Sequence, residues 1–360
     1  AALNLAADEN GKISVRLNTT SQYKDANIVL TYDGEEIFNE SATISPALPF
    51  VKDVELNGSA VKENLKCSLY DSSGELLLEY QPAPPLNRPM PEPLESPQDP
   101  EDISTVEELY LNGLRLDQFH NASISSYPYY EEALKRDPGD YRVNTQLGIL
   151  YINRKMFEQA EKHLQTAVDR ITMRYTQAKD SEALYYLGIA QRRLHKNSEA
   201  YNNFYDATWN AGWKSQAYHQ LAELDCDNGD YETALDHINR AINSNNSNNI
   251  ALGLKVTILR KLGELEEAET LANDMIKNDL LDYQFRNELY LIEKQLNKNS
   301  QADKTLQELE NIMEGRTQSY LEFSTFYSNC GFYDEAIDVL SRLENRRNQF
   351  PMLYYYLGYF

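Results

Sequence analysis

The chain is 360 residues long and carries 34 Lys and Arg against 56 Asp and Glu, a formal net charge of −22. That excess of acid argues against nucleic acid and anionic membrane surfaces as partners, since both need a neutralising cationic face. No apolar run is long enough to span a bilayer, so no membrane insertion is expected.

Residues 1–81 read as short strands. Segments 13–17, 28–32, 36–38, 51–56, 65–70 and 76–80 alternate apolar and polar side chains, the period of a half-buried strand. Asp33-Gly34 and Ser72-Ser73-Gly74 fall between strand pairs and predict hairpin turns. Such a set predicts a small β-sandwich of immunoglobulin-like type, with its strand order left open. Residues 82–104 then change character. Eight of the thirteen prolines lie between 82 and 100, which predicts an extended linker or surface strap, because proline lacks the backbone donor. Ser104, with Glu107 three residues on, reads as the N-cap that opens the helices.

From 105 to 360 the sequence keeps a beat. Ala200, Ala234, Ala268, Ala302 and Ala336 are each 34 residues apart, and Ala207, Ala241, Met275, Leu309 and Leu343 repeat at the same interval. A period of this length belongs to a solenoid of helix–turn–helix units. Within 215–248, Tyr218, Leu221 and Ala222 share one helix face. Gly229 marks the turn, and Ala234, Ile238 and Ala241 form the apolar stripe of the second helix. These small, glycine and aromatic positions resemble the tetratricopeptide repeat. Seven whole units follow, 107–140, 141–180, 181–214, 215–248, 249–282, 283–316 and 317–350, and an eighth begins at Pro351. Pro128 requires the second helix of the first unit to start late, since proline belongs in a first turn. The uncapped, aromatic half repeat ending at Phe360, and a start without Met, predict a piece of a longer protein. The expected organisation is a β-sandwich over 1–81, a Pro-rich linker over 82–104 and an all-α tetratricopeptide solenoid over 105–360.

No phosphate loop, nucleophile elbow or paired-His zinc motif is present, so this chain is expected to be non-catalytic and to need no cofactor or metal. Cys67, Cys226 and Cys330 have no metal spacing, and their odd number frames no disulfide set. The first helix of each unit lines the inner face of such a solenoid, where a ligand is expected. There Arg142, Tyr185, Arg192, His219 and Glu223 offer the most directional groups. Arginine suits a carboxylate or polar edge, the tyrosine gives flat apolar contact, and Glu223 accepts a donor. Thr145, Tyr185 and His219 stand where a carboxylate-clamping repeat places lysine or asparagine, so capture of a peptide C-terminus is not expected. Trp209 and Trp213 join two units. They either plug the groove between neighbouring repeats or form a stacking platform for a sugar or peptide. Asp225 occupies a position that Tyr151 and Tyr327 hold elsewhere. It therefore needs a buried polar partner, such as a tryptophan N–H or an arginine, or else it serves as a catalytic acid of raised pKa.

The run from Glu108 to Leu114, the run from Tyr129 to Asp140, and Glu182-Ala-Leu-Tyr-Tyr-Leu-Gly188 go beyond the generic repeat. With Phe204 to Asn210 and Ala222 to Cys226, they resemble a family of large bacterial tetratricopeptide proteins of unknown function. The resemblance is close over 105–275, weaker over 1–104 and generic beyond 276. It implies a parent protein with an upstream β-rich domain of the galactose-mutarotase kind, in the bacterial cytoplasm or periplasm. Two functions follow as expectations. One is a binding scaffold for a protein or peptide. The alternative is an accessory region of a carbohydrate-processing enzyme, with the aromatics near Trp209 touching a glycan or the upstream catalytic domain.

Overall fold

A computed structural model describes residues 1–8, 11–56, 58, 60–84, 89–90, 96–119, 123–175, 177–344 and 350–360. Seven strands come first: β1 (Ala2–Ala7), β2 (Lys12–Asn18), β3 (Tyr23–Tyr32), β4 (Glu35–Ile44), β5 (Phe50–Glu55), β6 (Leu65–Tyr70) and β7 (Leu76–Tyr80). The helices follow as α1 (Val106–Gln118), α2 (Tyr127–Arg136), α3 (Tyr141–Asn153), α4 (Phe157–Thr172) and α5 (Glu182–Arg193). Next are α6 (Asn197–Ala207), α7 (Lys214–Asp227), α8 (Tyr231–Ser244), α9 (Asn249–Leu262) and α10 (Leu265–Asn278). The last five are α11 (Tyr283–Gln295), α12 (Asn299–Met313), α13 (Thr317–Asn329), α14 (Tyr333–Glu344) and α15 (Pro351–Tyr359). They form two compact units, Ala1–Glu92 with Leu265–Gly315, and Pro93–Glu264 with Arg316–Phe360. None of the described helices is long and apolar enough to cross a membrane.

In the first unit the strands make two antiparallel sheets, β1-β2-β5 and β4-β3-β6-β7. Ile13, Val15 and Leu17 of β2 share one core with Ile28 and Leu30 of β3 and with Leu65, Cys67 and Leu69 of β6. Every second residue faces inward, so the alternation read from the sequence is the two-residue pleat of a sandwich. The fold is an immunoglobulin-like sandwich, and the structure supplies its strand order. Asp33 and Gly34 have φ of 51° and 85°, the two positive values that a type I′ hairpin turn demands. At the β6–β7 turn the Asp71 carboxylate accepts from Ser73 N at 2.8 Å and Glu75 N at 2.9 Å. Alternation did not reveal β1. Its alanines, Ala2, Ala6 and Ala7, are weak strand formers, and its ladder with β2 holds it instead. In the same unit, Lys298 at the head of α12 reaches Glu269 of α10 at 2.5 Å.

The helices follow the 34-residue register closely. Two residues before the second helix of every unit but the first the backbone turns left-handed: Lys155 (61°), His195 (59°), Gly229 (78°), Gly263 (83°), Asn297 (58°) and Gly331 (74°). The next residue donates back across the turn, as Lys196 N does to Gln191 O and Asp230 N to Asp225 O, both at 2.9 Å. This is the Schellman cap, which satisfies the orphan carbonyls at a helix end. Each pair then closes on a small residue. A Cβ on Gly148 would stand 2.4 Å from Leu164, and one on Gly188 would stand 2.6 Å from the Phe204 ring.

A second recurring position carries polar pairs inside this packing. Asn203 Nδ2 donates to Gln191 Oε1 at 2.7 Å, His237 Nδ1 lies 2.7 Å from Asp225 Oδ2, and Thr305 Oγ1 donates to Glu293 Oε2 at 2.8 Å. All three pairs occupy the same two register positions, where the unit of α13 and α14 has buried Tyr327 and Val339. A buried polar group is tolerated when it is paired in this way.

Helix α1 opens one residue later than the sequence predicts. Thr105, not Ser104, is the cap, and its Oγ1 accepts from Glu108 N at 3.1 Å. Pro128 sits in the first turn of α2, as proline requires. Of the Pro-rich segment, 85–88 and 91–95 lie outside the described residues, as do Asn57, His120 and Asn121. Its end docks on α2: Tyr129 OH donates to Gln98 O at 2.9 Å and Arg136 Nη1 to Ile103 O at 2.5 Å.

Candidate binding surfaces

Helices α5 and α7 begin successive units, so Tyr185 and His219 occupy one register position and Glu223 lies a turn beyond His219. Arg192, near the end of α5, reaches across to α7. Its Nη1 donates to Gln220 Oε1 at 2.7 Å and to Glu223, and Nη2 donates to the Asn329 carbonyl at the end of α13. His219 Nε2 is 3.3 Å from the second Glu223 oxygen. Burial alone would raise the Glu223 carboxyl, but Arg192 and His219 outweigh it and hold the group at about 2. Glu223 is therefore an ionised anchor at neutral pH and not a proton donor. Tyr185 lies beside this group. Burial first, then the Glu223 charge, pushes its hydroxyl up to about 12, and its ring stacks on Trp213 at 5.1 Å.

The turn between α13 and α14 is seated on this surface. Gly331 approaches the end of α7 so closely that a Cβ would stand 3.1 Å from Asp227 Cα. The Phe332 ring packs 6.2 Å from Tyr231, and Lys261 Nζ lies 4.7 Å over its face. Glu335 pairs with Arg260 at 3.1 Å and with Lys261. Burial drives the Cys330 thiol well up, and burial with the charge of Asp225 drives up Cys226, so neither is poised as a nucleophile.

Arg142 belongs to a different surface. A pocket of about 170 Å³ between α1, α3 and α5 is lined by Tyr110, Tyr141, Arg142, Thr145, Asp180 and Glu182, among others. Arg142 is already engaged there. It pairs with Glu107 and, at 2.9 Å, with Asp140, and its guanidinium lies 4.9 Å over the Tyr110 ring.

Of the five inner-face residues singled out in the sequence, the structure thus brings Tyr185, Arg192, His219 and Glu223 together and places Arg142 apart. The tryptophans separate as well. Trp213 is partly buried between Tyr185 and Tyr186, whereas Trp209 is 64% exposed. Asp225 pairs with a histidine, not with a tryptophan or an arginine, and His237 in turn stacks on Tyr218 at 5.6 Å. Sequence reasoning missed the seat of the α13–α14 turn. Cys330-Gly331-Phe332 carries only the ordinary signature of a repeat turn, and nothing local marks what it touches.

Residues 118–183 and 219–279 match family models of the tetratricopeptide repeat, and residues 1–80 match that of the YphG-like protein second domain. Among solved structures, Pseudomonas aeruginosa PilF is similar at 14% identity and a TM-score of 0.50, over 62% of this chain and 96% of that one. A tetratricopeptide repeat protein from Parabacteroides merdae shows 14% identity and a TM-score of 0.49, over 70% and 97% of the two chains. YrrB, described as a tetratricopeptide protein with an unusual peptide-binding site, shows 15% identity and a TM-score of 0.43, over 51% and 92%. The two matched spans thus have the tetratricopeptide-repeat fold, the remaining helices after residue 105 keep the same 34-residue register, and the domain before them is similar to the second domain of YphG-like proteins.

Proposed function

We propose that this chain is a non-catalytic scaffold that binds a protein or peptide on the inner helices of its first repeats. The observation that carries this reading is the division of labour just described. Arg192 is engaged by Glu223 and by the Asn329 carbonyl at the end of α13, while the pocket between α1, α3 and α5 presents tyrosines beside charged groups. Aromatic rings flanked by charges are the surfaces that carry interface energy.

The test is selection from a randomised peptide library, followed by affinity measurements on variants that keep the wild-type melting temperature. Gln146→Trp fills the pocket from its rim and is expected to weaken selected peptides at least tenfold. Tyr185→Ala and Arg192→Ala are expected to change affinity less than twofold. The reverse pattern moves the ligand to α5 and α7, and a library that yields no binder overturns the scaffold reading.

A further inference from the structure

Resting on that reading, we infer that the pocket between α1, α3 and α5 receives a lysine or arginine side chain of the bound peptide.

The argument is one of unbalanced charge in a confined space. Glu182 is the first residue of α5, and its backbone N–H donates to Asp180 Oδ1 at 3.1 Å. Among the described residues its side-chain carboxylate meets no hydrogen-bond or ion-pair partner, although it is partly buried in the pocket wall. Burial first, then the like charge of Asp180, raises its pKa, and no cation among the described residues offsets them. Arg142 lines the same pocket, yet Glu107 and Asp140 already share its guanidinium. Two carboxylates, on Glu107 and Asp140, thus share the guanidinium, and two more, on Asp180 and Glu182, line the same pocket. A partly buried carboxylate without a partner is costly, and a ligand cation seated beside it removes that cost.

The remaining walls suit the stem of such a side chain. Tyr110 and Tyr141 present rings, against which a long methylene chain packs and a cation is attracted. The volume, about 170 Å³, is below the roughly 300–1,000 Å³ of pockets for drug-sized ligands, so it fits one side chain and not a whole small molecule. An anion is disfavoured on the same grounds, which agrees with the lack of a carboxylate clamp at Thr145, Tyr185 and His219.

The experiment uses the full chain and the randomised peptide library. Selected peptides are expected to share a lysine or arginine at one position. Replacing it by norleucine, which keeps the stem and removes the charge, should weaken binding to wild type about tenfold. With Glu182→Gln that lysine-over-norleucine preference should fall below twofold, whereas Glu158→Gln, an exposed acid on α4, should leave it at about tenfold. Glu182→Gln should also melt no lower than wild type, because it replaces a carboxylate that has no partner. Selected peptides without a shared basic residue, or a preference unchanged in Glu182→Gln, overturn the inference and leave the scaffold reading standing. Equal losses in Glu182→Gln and Glu158→Gln mean attraction to the acidic surface at large, and they overturn it too.

Discussion

Three glycines at one register position allow the seating of the α13–α14 turn to be weighed. Gly229, Gly263 and Gly331 have φ of 78°, 83° and 74°, so alanine suffers the same left-handed backbone strain in each, about 1–2 kcal/mol. A Cβ on Gly229 or Gly263 meets nothing within 4 Å, and strain is the whole cost there. On Gly331 the new carbon would stand 2.5 Å from Asp227 Oδ1 and 3.1 Å from Asp227 Cα. The carboxylate oxygen swings aside, but the Cα belongs to the end of α7 and does not. The turn must retreat, which adds roughly 1–3 kcal/mol of overpacking and loosens the Arg192–Asn329 and Arg260–Glu335 bonds. In urea unfolding, Gly331→Ala is therefore expected to cost about 2–5 kcal/mol, against about 1–2 kcal/mol for Gly229→Ala and Gly263→Ala. Hydrogen exchange should speed up at the amides of 329–335 in Gly331→Ala and stay unchanged there in Gly229→Ala. Adding Asp227→Ala removes the oxygen contact only, so it should recover less than half of the extra loss. A Gly331→Ala cost within about 0.5 kcal/mol of Gly229→Ala, the margin of independent sites, refutes the close seating of this turn on α7.

Three further outcomes are expected. His195→Gly and Lys155→Gly should raise the urea midpoint, gaining about 0.5–1 kcal/mol each, because both side chains now occupy left-handed backbone; a lower midpoint contradicts the cap geometry. Asp225→Leu or His237→Leu alone should cost on the order of 2–3 kcal/mol by orphaning a buried partner, whereas the double variant should recover most of it, since one repeat later the same positions hold Leu259 and Leu271; additive losses in thermal melts exclude the pairing. Glu223 titrates at about 2 in the folded chain against 4.5 for the free group, so its contribution is complete above about pH 4.5 and is lost as pH falls toward 2. Acid unfolding followed by circular dichroism should show a shallower stability loss across that window in Glu223→Gln than in wild type.

Much of this fold was legible because the signals that specify it are local. The Asp33-Gly34 hairpin follows from what two adjacent residues do to the backbone. The 34-residue beat records a contact between neighbouring helices, so Gly188 facing Phe204 appears in sequence as a small residue at a fixed distance from a large one. Strand β1 escaped because alanine carries little strand preference, and its partner strand supplied what its own residues lack. The α1 cap was off by one residue because Ser104-Thr-Val-Glu107 and Thr105-Val-Glu-Glu108 both satisfy the capping pattern, and only the hydrogen bond to Glu108 N decides between them. Asp225 was legible as an anomaly, though its partner was not. His237 follows it by 12 residues, one helix later, and faced competing donors that the register alone did not rank.

The inner face resisted for a different reason. Directional groups were the criterion for a ligand surface, and Arg192 and Glu223 met it. But a guanidinium that suits a peptide carbonyl suits a carbonyl of its own chain equally well. Arg192 and Asn329 are 137 residues apart, and no period or motif links them. The same criterion, applied after the intrachain bonds are known, selects differently: it discards groups whose charge is already answered and keeps those whose charge is not. By that measure Arg192, Glu223 and Arg142 drop out. Glu182, an acid that no local signal singled out, is what remains to meet a ligand.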